Sequence, residues 1–543
     1  MLHSALIIGC FTLLSRVTGM LQSRLVANYL GAGLAADAFM VAFRIPNLLR
    51  RLTAEGTMTS AFLVTLNEIE SQDGKAAGRD MVAKFLGTFS FILVLVTIVA
   101  IPVMGVLTGL QMLGKIAPEV GFWQQLAVLY RTIMGTNIGP MQWKLTTGLA
   151  RIMFPYLVLV SLTSGLSAVL NLRKQFGLPA SVSTFWNIAF IGFAVSFIHW
   201  TPPSWRTPEC AAFCLAVATV MGGIVQLFVL WPTFRKMGFS IKPGLYLNHS
   251  GVRSVLKRMA PGLLGAGIHP INVAISTMLA SQLAVGAQTI LFNSNMMSEM
   301  VLGIFATSLA TVSLPTMSNL VVAGDIQGLR DNLISTLRIT AILVIPGSVG
   351  IAVLAWPIVA IIFQTGRYDS VAVNWTAGTL VYQAVGLIFI ATSRVATQCI
   401  YALKDYKKPA YAALLSMGSN IILSVILMKP LGTAGIALAN SMASVVGLIF
   451  LVLTISSKID KVSWKLVIGS WCSSGVAAAL MGGFAYLGVG YLGLRTFVGL
   501  VDTSLKLFPL IGACILVYVL LLFLFRVPEI TSIKRMVLRK IIS

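Results

Sequence analysis

The sequence predicts an all-α polytopic membrane protein of about 14 transmembrane helices: two pseudo-symmetric six-helix lobes plus two C-terminal helices. Three observations predict it. Of 543 residues, 57% are hydrophobic and only 10% charged, with a mean hydropathy of +0.90; a soluble domain carries about 25% charged residues. The apolar runs are near 20 residues long, which suits spanning helices and not barrel strands. The Lys and Arg residues gather mostly in the short connections between those runs.

Spans are expected near residues 4–30, 34–66, 83–111, 148–172, 180–200, 209–233, 256–284, 288–321, 333–364, 373–403, 408–428, 431–456, 464–490 and 506–527. The first is too long for a signal-peptide core and has no basic stretch before it, so it reads as a retained span. The turn Gly31-Ala32-Gly33 leads into the second, where Pro46 predicts a kink near Arg44–Arg50. The connection 112–147 is long, and Leu126–Met134 is expected to lie along the membrane surface. Pro155, Pro261, Pro270, Pro315 and Pro346 fall inside later spans, where they fit bent helices.

Net charge is +23. In a soluble chain that would suggest nucleic acid; here it sets topology and attracts anionic lipid headgroups, and no nucleic acid is expected. Of the 39 Lys and Arg residues, 24 fall on one set of connections and 8 on the other. The richer side is the cytoplasmic one, and an even span count puts both termini there. The cysteines, Cys10, Cys210, Cys214, Cys399, Cys472 and Cys514, lie mostly in apolar runs and read as buried structural thiols, not a metal site. No cofactor is expected. Signatures of a zinc protease, a serine hydrolase or a Walker loop are missing, which argues against an enzyme.

The sequence also repeats itself. Ser60–Val82 parallels Thr311–Leu333, Arg173–Ala180 (RKQFGLPA) parallels Leu403–Ala410 (LKDYKKPA), and Asn187-Ile188 parallels Asn420-Ile421. Matched pieces have the same expected orientation, which defines a parallel repeat. The expected organisation is a six-helix lobe at 1–235, a second at 236–460, and two extra helices with a basic tail at 461–543.

The remaining Lys and Arg residues are all arginine and all within spans: Arg16, Arg24, Arg44, Arg50, Arg51, Arg151 and Arg394. The acids there are Asp37, Glu55 and Glu299. A guanidinium stays charged below a pH of about 12, and at the bilayer centre it costs at least about 2.5 kcal/mol. A membrane interior with this surplus needs an aqueous cavity or an anionic partner. The planar fork of Arg matches phosphate oxygens two at a time, so a diphosphate suits it and a small cation does not. Asp37, Arg44 and Arg51 share a face of the second span, and Glu55 follows Arg51 by one turn, within ion-pair reach. Arg50 points elsewhere, with no acid at helical spacing, and is the better anion ligand. In the first span Thr12, Arg16, Gly19 and Ser23 share a face on which small residues admit a ligand or a neighbouring helix.

Three blocks carry a family resemblance: Ser15-Arg16-Val17 with Gly19; GAGLAADAFMVAFRIPNLLRRLTAEG (Gly31–Gly56); and FQTGRYD (Phe363–Asp369) followed by YALKDYKKP (Tyr401–Pro409). Together they resemble MurJ/MviN-type lipid II flippases of the MOP exporter superfamily. The resemblance implies a multi-pass bacterial inner-membrane protein that moves undecaprenyl-diphosphate-linked peptidoglycan precursor outward by alternating access. It implies a cationic central cavity and a groove for the lipid tail at the last two helices. Arg16 and Arg50 map to essential family arginines, and Ser15 and Asp37 to weighted motif positions. Arg24 and Arg51 are expected to support them. Gln22 and Asn295-Met296 stand where the family usually has arginine, and Arg24 or Arg394 is the expected compensation. A monomer is expected, with the cell-wall synthesis machinery as a candidate partner. The alternative is a cation-coupled drug or lipid-linked oligosaccharide exporter of the same superfamily, which would need an isolated acidic site.

Overall fold

A computed structural model describes residues 2–53, 57–116, 121–133, 140–460, 462–525 and 527, with the backbone alone at 2–8, 51–53, 57, 59–60, 122, 133, 260–266, 307–308 and 311. The elements are α1 (Leu2–Leu30), α2 (Leu34–Thr53), α3 (Thr57–Gln111), α4 (Leu113–Ile116), α5 (Phe122–Ile133), α6 (Met141–Met153), α7 (Tyr156–Leu172), α8 (Gly177–Trp200), α9 (Pro208–Lys236) and α10 (Ser250–Ala280). They continue as α11 (Ala287–Val301), α12 (Ser308–Val322), α13 (Ile326–Val353), α14 (Ala355–Phe363), α15 (Ser370–Ala384), α16 (Leu387–Ala402), α17 (Lys407–Leu431), α18 (Thr433–Lys458), α19 (Trp464–Tyr491) and α20 (Leu500–Leu524). One isolated bridge, Thr365 to Tyr368, is the only β pairing among the described residues.

Among the described residues, every expected span falls on helix over most of its length. Among the described residues nine helices are long and apolar enough to cross a membrane, ten with the bent pair α15–α16. Several spans are not single rods. A π-helical turn, Leu302–Thr307, separates α11 from α12; α15 and α16 meet at 45°. The polar connection near 67–82 stays helical, broken only where Gly74 takes φ of 84°. The expected surface segment is α5, which turns Leu129 inward and leaves Trp123 and Tyr130 exposed; Met134 lies outside the described residues. Of the cysteines, Cys399 and Cys514 are buried, but Cys10 and Cys472 are exposed on their helices. In a membrane that exposure faces lipid as readily as water, so apolar sequence context did not mean a protein interior.

The chain forms two compact units, Met1–Thr289 with Thr365–Tyr368, and Ile290–Gln364 with Asp369–Ser543. In the first, α8 packs against α1 and α9, α6 against α2, and α10 against α3. Small residues allow the close approaches that helices in lipid depend on. A side chain at Gly222 would meet the Trp186 ring at 2.8 Å, and one at Gly223 the Tyr156 ring at 2.7 Å. Trp186 itself stacks on Phe43, 6.1 Å between centroids, which ties α8 to α2. In the second unit α13 packs against α16 and α19, and α18 against α15, α16 and α17. The last two helices are fastened there: Tyr518 donates from Oη to the Ile342 carbonyl at 2.9 Å within a cluster holding Met481, Leu510 and Cys514.

Backbone geometry follows the sequence repeat. Lys174 and Lys404 are the only non-glycine residues with positive φ among those described, at 62° and 60°. Each is the second residue of its repeat segment. Each closes a helix the same way, with the next amide donating five residues back: Gln175 to Leu170 at 2.9 Å and Asp405 to Ile400 at 3.2 Å. Gly74 and Gly324, one position out of register in the matched segments, have φ of 84° and 72°.

The connection between α9 and α10 runs along α3. Lys242 donates from its amide to the Ala83 carbonyl at 3.1 Å, and the Tyr246 amide donates to Thr88 Oγ1 at 2.9 Å. A Cβ at Gly87 would lie 1.7 Å from the Lys242 carbonyl oxygen. Gly87→Ala is therefore expected to lift this segment off α3, at a cost of about 1–3 kcal/mol. Chymotryptic cleavage at Tyr246 in native membranes should speed up; an unchanged rate would refute the contact. Asp80 pairs with Lys242 at 2.8 Å and Lys84 at 2.5 Å. Hydrogen bonds from Lys242 and then Lys84 hold its carboxyl down to about 2, from an ordinary 3.8. A depressed carboxylate stabilises above its unfolded pKa, so this anchor is complete above pH 3.8 and is lost as the pH falls toward 2. Amide exchange in 238–246, corrected for intrinsic rates, should rise across that window in the wild type and not in Asp80→Asn.

Candidate functional site

All of the expected site residues except Arg394 sit on the first helical hairpin, α1 and α2 around the turn 31–33. At about 1.5 Å per residue, Arg16 lies roughly 22 Å and Arg50 roughly 25 Å from that turn, on its two arms. Arg24 lies only roughly 10 Å from it. Arg16 is exposed on a side of α1 that also leaves Leu13, Val17 and Leu21 open, and Arg24 and Arg50 are half-buried. Arg44 is buried at 7% exposure. The face of α2 that carries Asp37 and Arg44 is thus turned into the protein, and Arg50 stands off it, as the helical wheel predicts. The side chain of Arg51 and all of Glu55 lie outside the described residues, and with them the expected ion pair.

α1 packs on α8 along its Ser15–Thr18 side, and of the expected small-residue face only Gly19 reaches that contact, while Thr12 and Arg16 are exposed. Asn187 on α8 donates from Nδ2 to the Ser15 carbonyl at 3.0 Å and to Thr18 Oγ1 at 2.9 Å. A Cβ at Gly19 would meet Asn187 Nδ2 at 3.5 Å. Ser15 therefore fixes α1 through its backbone, and this packing leaves the Arg16 side of the helix open.

Asp37 is fully buried and caps another helix. Its Oδ2 accepts from the Gly286 amide at 2.7 Å, and its Oδ1 from the Thr289 amide at 2.9 Å and Thr289 Oγ1 at 2.7 Å. These are donors at the start of α11, where a negative charge is favoured. Beside it, Lys115 donates from Nζ to the Leu283 carbonyl. Burial pulls the Lys115 ammonium below the ordinary lysine range, and the charge on Asp37 opposes that. Gln125 and Gln282 exchange amide hydrogen bonds at 3.1 and 2.9 Å. The turn 365–368 is held to the end of α1, with Arg367 donating from its amide to the Asn28 carbonyl at 3.2 Å. Gly366 permits this: φ is +53°, and a Cβ would lie 2.4 Å from that same carbonyl oxygen.

Arg394 is in the second unit, where its Nη2 lies 3.2 and 3.3 Å from the two carboxylate oxygens of Glu299. Asn295, near the position where an arginine is expected by resemblance, accepts from Gln383 Nε2, and Ser298 Oγ donates to Gln383 Oε1 at 3.1 Å. No pairing for Glu299, Gln383 or Thr289 could be read from helical spacing. Their only signal was a polar residue inside an apolar run. Arg151, the remaining span arginine, donates from Nε to the Ile101 carbonyl at 3.2 Å.

Fold and site define a multi-pass, all-α membrane transport protein whose hydrophobic segments carry permanent positive charge on an open helix face. The family model described as lipid II flippase MurJ matches residues 26–500, and the chain belongs to that family. It is 32% identical over 444 residues to the probable lipid II flippase MurJ of Buchnera aphidicola subsp. Acyrthosiphon pisum, covering 82% of this chain and 81% of that one. It is 31% identical over 441 residues to the lipid II flippase MurJ of Burkholderia cenocepacia, covering 80% of each. A solved lipid II flippase MurJ in an inward closed conformation shares the fold at TM-score 0.74 and 21% identity, over 97% of this chain and 100% of that one. An inward-facing multidrug resistance MATE family transporter of the MOP superfamily shares it at 0.59 and 12%, over 82% and 96%. The matched family segment takes in Asp37, Arg50, Arg51 and Arg394 but starts after Arg16 and Arg24.

Proposed function

We propose that the chain is a lipid II flippase of the bacterial inner membrane, moving the undecaprenyl-diphosphate-linked precursor from the cytoplasmic to the outer leaflet by alternating access. One observation carries the assignment of roles. Arg16 and Arg50 lie a similar number of turns from the 31–33 turn that joins α1 to α2, Arg16 exposed and Arg50 half-buried. A diphosphate offers each fork a pair of oxygens, and no covalent step is required. Arg24, Arg51 and Arg394 add positive charge along the path, while Ser15 and Asp37 hold the helices that carry it. The two intramembrane carboxylates among the described residues, Asp37 and Glu299, are engaged by amides and by Arg394. That favours an anionic headgroup over a coupled cation. Residues 1–235 and 236–460 are the repeated six-span halves and 461–543 the added pair, a reading supported by the shared geometry at Lys174 and Lys404. The charge bias of the connections supports both termini being cytoplasmic and contact with anionic lipids.

The test is purified protein in vesicles holding fluorescent lipid II, with headgroup exposure followed by a membrane-impermeant quencher. The expected result is transbilayer movement well above that of protein-free vesicles. Equal rates would overturn the reading.

A further inference from the structure

The second unit holds a polar layer at membrane depth that the hairpin site does not use. Glu299 lies 12 residues into α11, roughly 18 Å along it, and Arg394 lies midway along α16. Around them the helices are irregular. The π-helical turn Leu302–Thr307 begins three residues after Glu299, and the 45° break between α15 and α16 falls at 385–386. Gly386 lets α18 approach closely at that break: a Cβ there would lie 2.5 Å from Ser441 Oγ, which donates to the Tyr382 carbonyl at 2.9 Å. Gln383, one turn before, joins Asn295 and Ser298. π-Bulges are frequent at functional sites, and broken helices and intramembrane charges recur where transporters bind substrate.

The ion pair is open. The Glu299 side chain is 47% exposed and that of Arg394 30%. Both carboxylate oxygens approach a single nitrogen, Nη2, end-on at 3.2 and 3.3 Å. A charge this accessible cannot face hydrocarbon at low cost, so its open side is wet. An end-on pair beside water is weak and exchangeable, unlike a sealed bidentate one.

We infer that Glu299 is a resident counter-anion for Arg394, occupying the guanidinium when no substrate is bound and giving it up to the diphosphate of the lipid. The inference rests on the flippase reading above and adds to it a competitor built into the chain. Its consequence is unusual: removing a polar residue next to the site should strengthen binding.

The experiment uses full-length purified protein in detergent and undecaprenyl diphosphate as the probe, with affinities read by calorimetry. Glu299→Gln and Glu299→Ala should each bind roughly fivefold tighter than wild type, about 1 kcal/mol. Arg394→Ala should bind more weakly. Adding Glu299→Gln to Arg394→Ala should change nothing further, because the competitor has lost its target. Neutral variants that bind no tighter than wild type, or a double variant that still gains affinity, would overturn the inference and leave the flippase reading intact. A wild type that binds no diphosphate lipid at all would overturn the flippase reading and this inference with it.

Discussion

Arg16→Ala and Arg50→Ala should each reduce lipid II movement in vesicles by roughly 30-fold to 1,000-fold, about 2–4 kcal/mol of lost headgroup stabilisation. A charge-assisted hydrogen bond to an ion is worth about 1.5–3 kcal/mol on its own, and each arginine supplies two donors plus a charge in a poorly screened setting. Lysine should restore only part of the rate, since it keeps the charge but not the fork. Arg151→Ala is the control. Its guanidinium is exposed and bound to the Ile101 carbonyl, so the rate should stay within about twofold, as for most surface substitutions. In cells depleted of the native protein, Arg16→Ala and Arg50→Ala at matched expression should fail to expose labelled lipid II on the outer face. Wild-type flipping in either variant would remove the hairpin from the mechanism.

Asp37→Ala should cost about 3–5 kcal/mol of stability, the largest effect expected of any single substitution here. The carboxylate is fully buried and accepts three hydrogen bonds from Gly286 and Thr289. Its loss leaves two buried amides and a hydroxyl without a partner, and takes the negative charge from the start of α11. Asn at this position restores one acceptor but turns an amide donor toward the other N–H, so it should rescue only in part. Thr289→Val removes a single hydroxyl contact and should cost about 1 kcal/mol. Thermal melting of purified protein orders the series: wild type above Thr289→Val, above Asp37→Asn, above Asp37→Ala. An Asp37→Ala melting point equal to wild type would show that the cap does not hold the two turns together.

Hydropathy runs and Lys/Arg bias are local properties of a chain entering a bilayer, and they sufficed for the fold class and for helix over most of each expected span. The arginine surplus was legible for the same reason: a guanidinium cannot neutralise itself, so its presence in an apolar run is informative without knowing its neighbours. Lys174 and Lys404 extend this, since a repeat read as letters returned as a repeat of backbone geometry. Which charge meets which partner was not legible. Asp37 meets Thr289 across 252 positions and Arg394 meets Glu299 across 95, and helical spacing reaches only one turn. The π turn after Glu299 and the bend at Gly386 were likewise set by packing, not by proline. The amino-acid sequence by itself determined that this protein is a membrane bundle carrying trapped positive charge. Tertiary structure alone decided which of those charges stay open to a ligand, because pairing depends on the faces that helices distant in sequence turn toward one another.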